Sequence, residues 1–233
     1  MTGMVLLPGV MCDAGLWQEM VEPLAPFGPL MYGDLSQAST LAAMASAVLA
    51  AAPVRFTLVG FSMGGYVARE MIRQAPERVE RLILIASSSQ QDSEQMHAFK
   101  AATARALLAS QDTFGGLGQK AIALSLSESH AGDARLHKHI HAMSLRMGRD
   151  AWCRQLLMAR DSDTARLHQI SCPTLVVAAA ADRMRSLQES AILQASIPDA
   201  VLEVIEESGH MIPLEQPDAL AAVMTRWLLA HPV

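Results

Sequence analysis

Apolar residues in this chain fall into short, nearly unbroken runs, separated by longer stretches of helical period. The runs 4–7, 30–32, 56–59, 81–86, 174–178 and 201–205 are rich in leucine and β-branched residues, with little polar alternation. Runs of this kind predict strands buried on both faces. The stretches 16–24, 40–51, 64–74, 186–195 and 217–229 read as helices. Pro217 suits the first turn of the last one, and Leu220, Val223, Met224, Trp227 and Leu228 form a single stripe along it. Strand alternating with helix predicts a parallel sheet covered on both faces.

Between positions 90 and 170 the alternation stops. This stretch reads as four helices, 92–110, 114–127, 133–147 and 150–159. About eighty residues are too many for a loop in a compact domain. The expectation is a helical cap over the carboxyl edge of the sheet, where open α/β sheets bind ligands. The organisation predicted is a core from 1–89 and 171–233, with 90–170 as an insertion rather than an independent domain.

Composition narrows this picture. The chain has 233 residues, 51 % of them hydrophobic, enough for one substantial core. No apolar run approaches the roughly 20 residues needed to cross a bilayer. No basic segment precedes the first apolar stretch, so no signal peptide is expected. A net charge of −5 leaves no basic face for nucleic acid. Cys12, Cys153 and Cys172 match neither zinc spacing nor a disulfide framework, and a reducing cytoplasm is the expected location. A small-molecule partner is expected, with no membrane, metal or cofactor. Monomer and homodimer both stay open.

Candidate chemistry centres on Gly60-Phe61-Ser62-Met63-Gly64, which follows the run 56–59 and opens the helix 64–74. A serine between glycines at a strand-to-helix corner has the form of a nucleophile elbow. The string alone is weak; its flanking elements give it weight. Serine needs a base to take its proton, and the base needs an acid to orient it. Asp182 follows the run 174–178, and His210 follows 201–205. Asp92, beyond the run 81–86, is the competing acid. Two N–H groups should face the developing oxyanion. One is expected from Met63. The other is expected from the turn after the first strand, with Val10 preferred and Met11 the alternative. Met11, Cys12, Phe61 and Met211 flank these positions and are candidates to line the substrate site.

The strings Leu7-Pro8-Gly9, Leu16-Trp17, Val59-Gly60-Phe61-Ser62-Met63-Gly64-Gly65, Cys172-Pro173-Thr174-Leu175-Val176-Val177, Asp182, Ser208-Gly209-His210-Met211 and Leu214-Glu215-Gln216-Pro217 together resemble the α/β-hydrolase superfamily, in its branch of small cytoplasmic carboxylesterase-like serine hydrolases with a helical cap. The resemblance implies a three-layer α/β-hydrolase fold of about six mostly parallel strands, with the first two edge strands of the full fold missing. It implies a Ser62–His210–Asp182 triad acting on an ester or related acyl bond. Three positions depart from the family's usual pattern: Pro8 where many relatives have histidine, Ala179 where glycine is usual, and Arg183-Met184-Arg185 after the acid. Carbon–carbon, lactone and thioester hydrolysis and perhydrolysis use the same constellation, and a ligand-binding protein that barely turns over is the alternative of another class.

Other features read more plainly. His137, His139 and His141, with His130 nearby, are expected on a solvated helix rather than in a zinc site, for want of completing ligands. Met96, Met143, Met147 and Met158 suit either core packing or an adaptable pocket wall. Asp161, Asp163 and Asp199 are expected to be solvated or capping residues.

Overall fold

A computed structural model describes residues 3–233. Met1 and Thr2, which begin the expected core segment and the stretch read for a signal peptide, lie outside the described residues. The strands are β1 (Gly3–Leu7), β2 (Leu30–Tyr32), β3 (Phe56–Phe61), β4 (Val79–Ile85), β5 (Thr174–Ala179) and β6 (Val201–Ile205). They form one sheet in the order β2-β1-β3-β4-β5-β6. Every pairing is parallel, where the sequence pattern had left room for an antiparallel member.

Unbroken apolar runs become strands here because both faces of the sheet are covered. Successive side chains point to opposite faces. Leu6, Val59, Phe61, Ile83, Ile85 and Val177 enter one apolar cluster. Val5, Leu7, Leu58, Leu82, Leu84 and Val176 enter the other. At the edge, β6 is only partly buried.

The helices are α1 (Val21–Leu24), α2 (Leu41–Ala51), α3 (Met63–Gln74), α4 (Glu94–Ala109), α5 (Gln119–Ser125), α6 (Ala134–Leu157), α7 (Leu187–Ser196), α8 (Ile212–Glu215) and α9 (Pro217–Ala230). Caps set several of their starts. The Thr40, Ser93 and Ser186 side chains accept the N3 amides of α2, α4 and α7, and Glu189 closes a capping box on Ser186. Two expected helices come out differently. Residues 14–20 form a 3-10 helix and only 21–24 continue as α-helix. The helix expected over 114–127 shrinks to Gln119–Ser125, because Gly115, Gly116 and Gly118 precede it and Gly116 takes φ +74°. Gly148, at φ 80° and ψ 171°, breaks α6 between the two helices expected there.

Side chains of segment 90–170 enter both apolar clusters. Ile122, Leu126, Leu136, Ile140 and Met143 join the same apolar cluster as Leu16, Trp17 and Met224. Met158, Leu167 and Ile170 join the cluster on the opposite face of the sheet.

Candidate active site

The chain leaves β3 at Phe61 and enters α3 at Met63, so Ser62 alone makes the corner, with φ 51° and ψ −113°. An L-residue pays strain for that conformation. It is held by a bond from the Ser62 N–H to the Ile85 carbonyl (2.8 Å). The Ser62 carbonyl in turn accepts from the Gly65 N–H (3.0 Å) and the Ser87 hydroxyl (2.9 Å). The flanking glycines are required by contact. A Cβ on Gly60 would lie 2.6 Å from the Gly64 carbonyl oxygen, and one on Gly64 would lie 2.4 Å from that of Leu7.

The loops after β5 and β6 meet this corner. Ala180 N–H donates to the Ile205 carbonyl (2.9 Å) and Ala181 N–H to that of Ser208 (3.0 Å), which ties the two loops together. His210 Nε2 lies 2.9 Å from Ser62 Oγ, and its Nδ1 lies 2.7 Å from Asp182 Oδ2. The other carboxylate oxygen, Oδ1, accepts the amides of Met184 (2.7 Å) and Arg185 (2.9 Å). These two bonds orient the carboxylate within the unusual Arg183-Met184-Arg185 loop. The Phe61 ring packs against the imidazole with centroids 5.1 Å apart. Ser62 is 8 % exposed and His210 5 %, and the Asp182 side chain 1 %.

Asp92 sits elsewhere. It pairs with Lys100 and lies 4.0 Å from the Arg160 guanidinium. Burial opposes its ionisation, but Lys100 and then Arg160 outweigh it and hold the carboxyl below its usual range. Among the described residues it has no bond to His210.

In the turn after β1, Met11 N–H donates to Gln155 Oε1 at 2.9 Å, so that amide is already engaged. The amides of Val10 and Met63 make no hydrogen bond among the described residues. Met11, Cys12, Phe61 and Met211 are all buried. The Cys12 thiol points back to the Val10 carbonyl (3.4 Å). Burial, and then the charge of Asp13, push it up to about 12, which leaves no thiolate near neutrality.

A surface cavity of about 670 Å³ is lined by Ala180, Ala181, Asp182 and Arg183 together with His130, Glu207 and Gln216. It includes neither Ser62 nor His210, so it is not the space in which those groups would meet a ligand. No group of three or more metal-ligating side chains forms among the described residues. His137, His139 and His141 instead face the carbonyls of Ala131, Gly15 and Leu117. Met143 and Met158 are buried and Met96 is exposed.

Three features escaped the sequence reading. Gln155, with no motif around it, reaches the turn after β1. Glu215, with its side chain fully buried, accepts the amides of Ser127 (2.8 Å) and Met211 (3.2 Å); its string carries the family resemblance, but nothing local marks these contacts. Asp163, expected to be a solvated or capping residue, does stand at the N-cap of the 3-10 helix 164–169 but makes no side-chain cap bond there; it is 3 % exposed and grips Arg69 through two bonds of 2.8 and 3.0 Å. The pairing residue is 94 positions away, so no local pattern marks it.

The family model for serine aminopeptidase, S33, matches residues 34–217, a span that holds Ser62, Asp182 and His210. This chain is an α/β-hydrolase of that family. It is also similar to the pimeloyl-(acyl-carrier protein) methyl ester esterase of Pectobacterium carotovorum subsp. carotovorum (strain PC1), 44 % identical over 95 residues. That match spans 37 % of this chain and 37 % of the relative's length. Among solved structures, this α/β-hydrolase superposes on a malate-bound thermophilic esterase from Thermogutta terrifontis with TM-score 0.87 and 23 % identity, covering 100 % of this chain and 91 % of the other. The enol-lactonase of Burkholderia xenovorans LB400 gives TM-score 0.82 at 17 % identity, covering 98 % and 91 %. These two likenesses show the fold.

Proposed function

We propose that this α/β-hydrolase is a serine hydrolase that cleaves an ester, or a related acyl bond, of a small to medium substrate through a Ser62–His210–Asp182 triad. The observation that carries the reading is the continuous hydrogen-bonded line Ser62 Oγ–His210 Nε2 (2.9 Å) and His210 Nδ1–Asp182 Oδ2 (2.7 Å). Neutral imidazole takes the Ser62 proton at Nε2 as Oγ forms a bond to the acyl carbon. Asp182 holds Nδ1–H and stabilises the imidazolium. The carbonyl electron pair moves onto oxygen, where the Met63 and Val10 amides donate to it. Met11 is not assigned this role, since its amide is engaged by Gln155.

Collapse of the adduct breaks the bond to the leaving group, which takes the proton from His210 Nε2. Water then attacks the Ser62 ester. His210 accepts its proton and returns one to Oγ, and the carboxylic acid leaves. The chemistry asks for no metal or cofactor. Residues 90–170 act as the cap that encloses the acyl group, with Met11, Cys12, Phe61 and Met211 near the reacting centre. Free Cys12, Cys153 and Cys172 suit a reducing cytoplasm, and no helix among the described residues is long and apolar enough to cross a membrane.

A fluorophosphonate probe tests this directly. Stoichiometric labelling of wild type, lost in Ser62→Ala, is expected, together with hydrolysis of p-nitrophenyl esters. Folded wild type that takes no label would refute the reading and leave a binding protein of the same fold.

A further inference from the structure

The turn after β1 has a conformation it cannot hold cheaply on its own. Cys12 N–H donates to the Gly9 carbonyl (3.3 Å), making Val10 and Met11 the central residues of a four-residue turn. Met11 sits there at φ 56°. At the third position of such a turn a positive φ belongs to the form that favours glycine or asparagine. Methionine is strained in it, and strain of this kind persists only where the surroundings over-determine it.

The Val10 carbonyl of the central Val10–Met11 peptide accepts only the neighbouring Cys12 thiol (3.4 Å), and the one long-range hydrogen bond to that peptide among the described residues comes from a single side chain. Gln155, from the second half of α6, is fully buried. Its Oε1 accepts the Met11 N–H at 2.9 Å and its Nε2 donates to the Leu35 carbonyl at 3.2 Å. The amide group is therefore fixed at both ends and has one orientation open to it. The gripped N–H belongs to the central peptide of the turn. If that peptide flips, Met11 relaxes to negative φ and the Val10 carbonyl takes the place of the Met11 N–H; the turn that presents the Val10 amide then loses its long-range tether to α6.

We propose that Gln155 is the positioning residue of the oxyanion turn: the cap uses it to hold the Val10 N–H on the developing negative charge. The inference rests on the serine-hydrolase reading above. It makes the cap part of the catalytic apparatus as well as a lid over the substrate. Gln155 touches no reacting atom. Its effect is on the rate of acyl transfer, with substrate affinity largely unchanged.

Three variants separate positioning from packing. Gln155→Met keeps length and burial but has no acceptor. Gln155→Glu keeps an acceptor oxygen and places a buried acid against the Leu35 carbonyl. Arg154→Ala cuts the neighbouring tie from the same helical turn, Nε to the Ser36 carbonyl at 2.9 Å, and leaves Met11 alone.

With p-nitrophenyl esters, Gln155→Met should lower kcat about ten- to a hundredfold with KM within about threefold, the scale of a misplaced oxyanion donor. Inhibition by a trifluoromethyl ketone, which forms the oxyanion as a stable adduct, should weaken by the same factor. Gln155→Glu should keep more kcat than Gln155→Met while melting at a lower temperature, and Arg154→Ala should keep its kcat. If kcat across the three variants simply follows Tm, or if Gln155→Met turns over at the wild-type rate, the inference is overturned and the serine-hydrolase reading stands. Should Gln155→Met not fold, Gln155→Glu decides: near-wild-type kcat despite a lowered Tm supports positioning, and kcat falling with Tm overturns it. Wild type that neither labels nor hydrolyses removes the parent reading, and this inference with it.

Discussion

Replacing Asp163 by asparagine should unfold this protein more readily than any exposed charge change, because it strands the guanidinium of Arg69. The Arg69 side chain is 0 % exposed and that of Asp163 4 %. The carboxylate accepts two bonds from Arg69 and a third from Arg73 at 3.0 Å. Arg73 is partly exposed and also pairs with Glu70, so it can turn away at little cost. Arg69 cannot. It retains the Gly65 and Ser88 carbonyls and the face of the Tyr66 ring, 4.7 Å away, but its positive charge would then lie in the interior without a buried counter-charge. Breaking a buried pair from one side costs about 3–5 kcal/mol. For a chain of this size that corresponds to a fall in Tm of roughly 6–20 °C.

The pH dependence has a definite sign. Burial works against the Asp163 carboxylate, but Arg69 and then Arg73 outweigh it and hold its pKa below the ordinary value of 3.8. A depressed carboxyl contributes stability that is complete above its unfolded pKa and is lost as pH falls through the folded one. Urea unfolding of wild type and Asp163→Asn should therefore show a gap that is constant above about pH 5 and narrows below about pH 4. The double variant Arg69→Met with Asp163→Leu should recover most of the loss, since removing both charges leaves no buried charge unpaired. A gap under about 1 kcal/mol at pH 7 would refute this account of what holds α3, the helix behind Ser62.

Further outcomes follow from the geometry. Asp182→Asn should lower ester kcat by about 10³–10⁴-fold through loss of the correct His210 tautomer, while Asp92→Asn, which unpairs Lys100, should cost stability and little kcat; the opposite pattern in steady-state assays would move the acid to Asp92. Gly64→Ala should yield no soluble protein that reacts with fluorophosphonate, since its Cβ would lie 2.4 Å from the Leu7 carbonyl oxygen, and wild-type labelling of that variant would show the elbow to be looser than described. With Cys12 at about 12 and Cys172 at about 11, neither thiol should react with iodoacetamide at pH 8 until urea unfolds the chain, as peptide mass spectrometry would show.

Much of the framework was legible because it is local. A strand buried on both faces needs an unbroken apolar run, and an amphipathic helix needs a stripe, so the strands and helices of the sheet layers could be read from neighbouring residues. Asp182 and His210 could be nominated for the same reason, each lying just beyond a strand at the edge where ligands bind. Their 2.7 Å contact could not. It depends on the amides of Met184 and Arg185 turning the carboxylate, and on two loops tied through Ala180 and Ala181.

Glycine decided what pattern had misjudged in the inserted segment, where Gly115, Gly116 and Gly118 delay α5 and Gly148 divides α6. Residues with long-range partners were the least visible. A glutamine at 155 and an aspartate at 163 look like solvated helix and loop residues until the fold buries them against Met11 and Arg69. A chain's own pattern determines which faces must leave water, because hydrophobic burial is a property of each segment. Which polar groups then find one another is decided only when distant segments are packed, because a hydrogen bond requires two atoms placed within a few tenths of an ångström.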